Sequence, residues 1–204
     1  MEARTPEFYN DDAIGKFGEE LFIRDFKSQY VIANVSDIPV WQMIDVDFII
    51  TKTNLVEATE KWSKLRSDSF EDFNMLRNDK TISKVEVKTD TRSFDTRNVV
   101  YEIIANGKKG WAGCTEADYI YYVFVDGNKN NLFAREVWWI NMMKWRDFVR
   151  VNFFDKNSNP SQFGITKNNY DESTAYGKTT RVANLLCNID VMQKYGIAIK
   201  LCSA

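Results

Sequence analysis

The run Lys84-Val85-Glu86-Val87-Lys88-Thr89-Asp90 sets a carboxylate and an amine two positions apart in a stretch that alternates like a strand. Residues i and i+2 of a strand share a face, so Glu86 and Lys88 project together while Val85 and Val87 point the other way into apolar packing. An ionised group is costly to bury alone, so such a pair implies a mutual salt bridge, a bound metal or catalysis. A second acidic set lies upstream. In residues 44–51, Ile44, Val46, Phe48 and Ile50 alternate with Asp45, Asp47, Ile49 and Thr51, which puts both aspartates on one face of a predicted strand.

The chemistry open to these groups is bounded by what the chain lacks. Its 204 residues contain no histidine, which excludes Ser-His-Asp and Cys-His hydrolases, histidine-dependent nucleases and any mechanism with imidazole as general base. Cys114, Cys187 and Cys202 lack CxxC spacing, so no zinc set is expected and the thiols read as buried and reduced. Carboxylate oxygens without imidazole or thiolate suit Mg²⁺ or Mn²⁺. At a phosphodiester such an ion would bind a phosphate oxygen, lower the pKa of a bound water and stabilise the leaving oxygen. Lys88 would orient that water or steady the pentavalent phosphorus.

These groups must be positioned by a small set of elements. Apolar residues at Ile14, Phe17, Leu21, Phe22 and Phe26, behind the capping acids Asp11 and Asp12, predict a helix over residues 11–29. On it Glu20 has Lys16 and Arg24 one turn away, an ordinary surface pattern. Glu19 instead lies beside Gly15, Phe22, Ile23 and Phe26, a carboxylate on the stripe that packs toward the sheet. Strands are predicted over residues 30–35, 44–51, 82–88, 99–104 and 119–125, with Asp126-Gly127-Asn128 as a turn. Residues 54–80 mix charges with Trp62, Leu65, Phe70, Phe73 and Leu76, which predicts a helical insertion between two strands. Residues 135–149 have helical spacing, with Trp138, Trp139 and Trp145 filling the core or a dimer interface. Residues 155–178 read as a polar loop and residues 181–201 as a strand, a short helix and a last strand. This order predicts an α/β or α+β fold, a central mixed β-sheet flanked by helices, in a single domain over residues 1–204.

Three pieces occur in an order that resembles the PD-(D/E)xK nuclease superfamily, the restriction-endonuclease-like fold. They are Gly15-Lys16-Phe17-Gly18-Glu19 on the helix, Val46-Asp47-Phe48-Ile49-Ile50 as the Asp strand, and Val85-Glu86-Val87-Lys88 as the ExK strand. The likeness continues through Lys88-Thr89-Asp90, Thr96-Arg97-Asn98, Glu102, Gly110-Trp111 and Ala117-Asp118-Tyr119, and looks like a subgroup found largely in bacteriophages and bacteria. It covers roughly residues 12–125, with residues 135–204 as an extension. The resemblance implies a Mg²⁺- or Mn²⁺-dependent endonuclease acting on DNA, with Asp47 and Glu86 as metal ligands, Glu19 as an auxiliary ligand and Lys88 assisting the water. Asp45 stays open as the alternative to Asp47, since the two share a predicted face. No proline precedes either aspartate, and the gap from Asp47 to Glu86 is lengthened by the insertion at 54–80.

Contacts to nucleic acid are expected from Lys108, Lys109 and Trp111, where two amines and an aromatic follow a Gly-containing turn, and from Arg92, Arg97 and Asn98 after the ExK strand. The bland reading is a hairpin tip and turn residues. A rival for the whole chain is a non-catalytic nucleic-acid- or protein-binding module, such as a viral accessory factor, motivated by a net charge of -2 and no dense basic stripe. With 44% hydrophobic residues the chain can bury one sizeable core, yet its apolar runs fall short of a membrane span and its start lacks a signal pattern. A cytoplasmic protein with no membrane partner is expected, in the host cytoplasm if phage-encoded. A homodimer would suit coordinated cutting of two strands.

Overall fold

The computed structural model describes residues 6–67, 69–91, 95–105, 108–128, 131–154, 159–173 and 179–201. The chain opens with helix α1 (Pro6–Phe26), strand β1 (Val31–Asn34), the single turn α2 (Pro39–Gln42) and β2 (Phe48–Thr51). Helices α3 (Leu55–Trp62) and α4 (Phe70–Arg77) follow, then β3 (Ile82–Asp90), β4 (Asn98–Ala105), the short β5 (Lys108–Lys109) and α5 (Trp111–Cys114). The second half contains β6 (Tyr119–Asn128), β7 (Asn131–Asn141), α6 (Met142–Asn152), β8 (Ile165–Ser173), β9 (Thr179–Asn188), α7 (Ile189–Lys194) and β10 (Ala198–Leu201).

Two sheets result. The central one has the order β1-β2-β3-β6-β7-β10 and the smaller one β5-β4-β9-β8. Among the described residues, only the β3–β6 pair is parallel, with Glu86 opposite Ile120 and Lys88 opposite Tyr122; the other pairs are antiparallel. A parallel pair needs a crossover, and here the crossover carries β4, β5 and α5, so β4 leaves the central sheet and founds the second one. The fold is α+β, a central mixed sheet flanked by helices, as the element order implies.

Burial explains which face does what. Val85 and Val87 join Phe48, Ile50, Tyr121 and Val123 against Leu21 and Phe22 of α1. Burying each of those two α1 side chains stabilises the fold by roughly 1.5–3 kcal/mol. The other face carries Ile120, Tyr122, Phe124, Trp138 and Ile140, packed with Val99, Tyr101 and Leu185 of the second sheet and Trp145 and Phe148 of α6. The expected insertion is present as α3 and α4, each started by a side-chain cap, Asn54 on the Glu57 N–H and Ser69 on the Asp72 N–H. Phe73 and Leu76 of α4 cover Ile49 and Ile82 beside Trp41 and Val46.

Gly18 sets how closely α1 approaches the ExK strand. A Cβ there would collide with Thr89 Cγ2 and stand 3.1 Å from Val87 Cγ1, both on stiff β-branched side chains. Glycine therefore lets the helix lie directly over β3.

Four expectations are corrected. Residues 131–141 are strand, and the helix starts only at Met142. Trp138 and Ile140 bury into one core while Val137 and Trp139 meet the other, and burial on both faces erases the period-two pattern. Residues 165–173 form a polar strand rather than a loop, because among the described residues β8 is an edge strand paired with β9 alone. The β6–β7 ladder runs on to the Asn128–Asn131 pair, so Asp126-Gly127-Asn128 is strand, not turn. Finally, the strand predicted from residue 44 begins at Phe48, because Asp45 adopts a left-handed backbone with φ 50°. Among the described residues, no helix is long and apolar enough to cross a membrane.

Candidate active site

The β2–β3 ladder stops at Phe48 opposite Val85, and Asp47 sits just beyond it. Its N–H donates to the Val85 carbonyl at 3.0 Å, and its Oδ2 accepts the Val87 N–H at 2.9 Å. Asp47 is thus anchored at both ends to the backbone of β3, between the residues that present Glu86 and Lys88. Because Val85 and Val87 face α1, Glu86 and Lys88 face away from it.

Glu86 is only 3% exposed. Its Oε1 accepts from Lys88 Nζ at 2.5 Å, while Oε2 is buried with no hydrogen-bond partner among the described residues. Lys88 keeps 27% of its side chain exposed, and its ammonium lies 5.0 Å from the centroid of the Trp111 ring. The ring face attracts the cation and limits where it can swing.

Burial pushes the Glu86 carboxyl up to about 8, and neighbouring Asp47 adds to the rise although Lys88 opposes it. Burial also raises Asp47, against the Val87 N–H, the Lys88 ammonium and Glu86, which all pull it down. Glu19 is raised by burial first and then by Asp47, while Asn34 hydrogen-bonds it and pulls the other way. For Lys88, burial works against the ammonium, but Glu86, Asp45 and Asp47 outweigh it and the pKa rises. Asp47 and Glu86 therefore both sit above their ordinary range beside one ammonium, while Glu19, on α1, senses Asp47 from the other side. When Asp47 and Glu86 are both ionised, they carry more negative charge than Lys88 can neutralise.

That imbalance, with an orphaned buried carboxylate oxygen, fits a divalent cation. Asp47 and Glu86 are hard oxygen donors, and Mg²⁺ is commonly held by one or two carboxylates with water completing its shell. Among the described residues, no group of three or more Asp, Glu, Cys or His side chains converges to hold an ion. The fit is thus to a two-carboxylate site, with Glu19 near enough to act on Asp47 electrostatically.

Asp45 is held differently from Asp47. Its carbonyl accepts from Thr115 Oγ1 at 2.9 Å and its Oδ2 lies 3.6 Å from Cys114 Sγ. Strained non-glycine backbone of this kind concentrates at functional sites. Asp45 contributes charge to Lys88, whereas Asp47 is the aspartate bound to β3. Cys114, expected in the core, is half-buried beside Asp45; Cys187 is buried and Cys202 lies outside the described residues. Nothing in residue spacing pointed to Cys114, Thr115 or Asn34 as neighbours of the site.

The expected nucleic-acid contacts divide. Lys108 and Lys109 are exposed on β5, and Trp111 is half-buried beneath Lys88. Arg92 lies outside the described residues. Arg97, in a left-handed backbone with φ 59°, is committed to Glu136 at 2.6 Å and Asp190 at 2.7 Å, so it ties the crossover to β7 and α7. Asn98 starts β4 opposite Asn188. For these two residues the turn and pairing role accounts for what they touch.

No family model, curated protein or solved structure matches the chain. The functional reading therefore rests on the geometry of Asp47, Glu86 and Lys88 and on the order in which the sequence presents them.

Proposed function

We propose that the protein is a Mg²⁺- or Mn²⁺-dependent endonuclease that hydrolyses phosphodiester bonds in DNA. The observation that carries this reading is the buried, unpartnered Glu86 Oε2 next to Asp47, with Lys88 on the same strand face. Asp47 and Glu86 would hold the ion. When bound, the ion supplies Lewis-acid polarisation of the phosphate and a more acidic water.

The remaining work falls to the chain's own side chains. Lys88 carries a permanent positive charge at neutral pH and donates hydrogen bonds toward the phosphate oxygens, where negative charge grows as the P–O bond breaks. Glu86 and Trp111 keep that ammonium in place before substrate arrives. Glu19 and Asp45 add negative charge at the margin, which favours retention of a cation.

A second reading, a binding module without catalysis, is favoured by one specific contact: Glu86 Oε1 is already bonded to Lys88. The two readings diverge in a substrate panel. Purified protein with Mg²⁺ or Mn²⁺ is expected to cut at least one of single-stranded, double-stranded or branched DNA, and to stop when EDTA is added. Cleavage of RNA alone would correct the substrate, and intact substrates throughout would leave the binding module.

A further inference from the structure

The first residues of β3 lead away from this site into a separate cleft of about 470 Å³, bounded by the segment entering β3, the start of β6 and the start of α6. Four cationic side chains line it, Arg77, Lys80, Lys84 and Arg146, against the carboxylates of Asp79 and Asp118. Existing partners do not cancel that excess. Arg77 pairs with Glu116, Asp79 with Lys61 at 2.6 Å, and Asp118 Oδ2 accepts the backbone N–H of Lys84 at 2.8 Å. Adding Lys61 and Glu116 to the tally still leaves five cations against three carboxylates, on a chain whose formal net charge is -2.

The cations that remain are poised rather than consumed. Lys84 Nζ donates to the Arg77 carbonyl at 3.2 Å, and Arg146 Nη2 to the Thr115 carbonyl at 2.8 Å, contacts that orient both groups without neutralising them. Among the described residues, Lys80 and Lys84 form no ion pair, and Lys80 is exposed. The Glu116 carboxyl is held below its ordinary range by Arg77 first and also by Lys84 and Arg146, so these three cations surround a single acid. A guanidinium fork and flexible ammonium groups together are the donor set that recognises phosphate oxygens. The cleft exceeds one phosphate group and falls in the size range of small-ligand sites.

We propose that this cleft binds a phosphate ester, at a site distinct from Asp47, Glu86 and Lys88. The ester could be carried by a free nucleotide or by a nucleic-acid backbone, and the inference does not depend on the nuclease reading. Equilibrium binding is measured in EDTA with three probes, inorganic phosphate, a nucleoside 5′-monophosphate and a fluorescent single-stranded oligonucleotide, on wild type, Lys80→Glu, Lys84→Ala and the charge-matched control Lys167→Glu, an exposed position on β8 outside the cleft. At least one ester probe is expected to bind wild type and Lys167→Glu alike and to weaken about tenfold or more in Lys80→Glu, whose fold is checked by circular dichroism. Binding of the mononucleotide identifies a small-molecule site, and binding of the oligonucleotide alone identifies a backbone contact. No binding by either ester, or binding unchanged in both Lys80→Glu and Lys84→Ala, overturns the proposal.

Discussion

Replacing Lys88 with alanine is expected to lower DNA cleavage by about 10²–10³-fold, the usual effect of removing one preorganised donor from developing negative charge. The loss should fall on kcat more than on KM, because the ammonium acts where charge grows in the transition state rather than on the resting substrate. Lys88 is partly exposed and its contacts are to Glu86 and Trp111, so the variant is expected to keep its fold, checked by circular dichroism. Glu86 then loses the neighbour that partly restrains its raised pKa and becomes easier to protonate. Single-turnover rates for Lys88→Ala within about twofold of wild type would remove Lys88 from the chemistry.

The second large effect concerns stability. Without a divalent cation, the protein is expected to lose stability as pH rises between about 4.5 and about 8. The ordinary Glu86 value is 4.5 and its folded value is about 8, so the folded chain holds this proton more tightly than the unfolded chain does. The contribution is complete below the unfolded value and is lost as pH passes through the folded one. Each unit of displacement corresponds to about 1.4 kcal/mol, so the decline amounts to a few kcal/mol, on the order of a large share of an ordinary domain's stability. Glu19 and Asp47 shift in the same direction. Asp79, Glu116, Glu136 and Asp190 are lowered instead, and their contribution is lost only as pH falls through the acid range. Urea midpoints in EDTA at pH 5 and pH 8 check this. Wild type should fall and Glu86→Gln, neutral at both values, should fall much less; a flat wild-type profile would mean that Glu86 is not held as a buried acid.

How much of this was legible depends on how many faces of each element are buried. In β3 one face meets α1 and the other carries charge, so Lys84, Glu86 and Lys88 alternate with Val85 and Val87 and the strand announces itself. Glu19 stood out for a similar reason, as an acid on an apolar helical stripe. β7 lies between two cores, and its unbroken run Val137-Trp138-Trp139-Ile140 carries no period to separate strand from helix. Asp45 was misplaced because its direction depends on a left-handed backbone gripped by Thr115, seventy positions later in the chain. Arg97 could not be assigned from its neighbours either, since its partners Glu136 and Asp190 are 39 and 93 positions away. Contacts closed by tertiary structure leave no local pattern, and they decide which charges near the site are free to act.

The central claim, that Asp47 and Glu86 form a divalent-cation site, is tested most directly by Mn²⁺ titration calorimetry on wild type, Asp47→Asn and Glu86→Gln. Both carboxyls are raised by burial, Asp47 further raises Glu86, and Glu86 Oε2 has no hydrogen-bond partner among the described residues, so an ion would replace a costly burial of acids with coordination. One Mn²⁺ per chain is expected to bind wild type at about pH 7, with affinity at least about tenfold weaker in each variant. No binding by wild type up to millimolar Mn²⁺, or equal binding by all three proteins, would contradict the account.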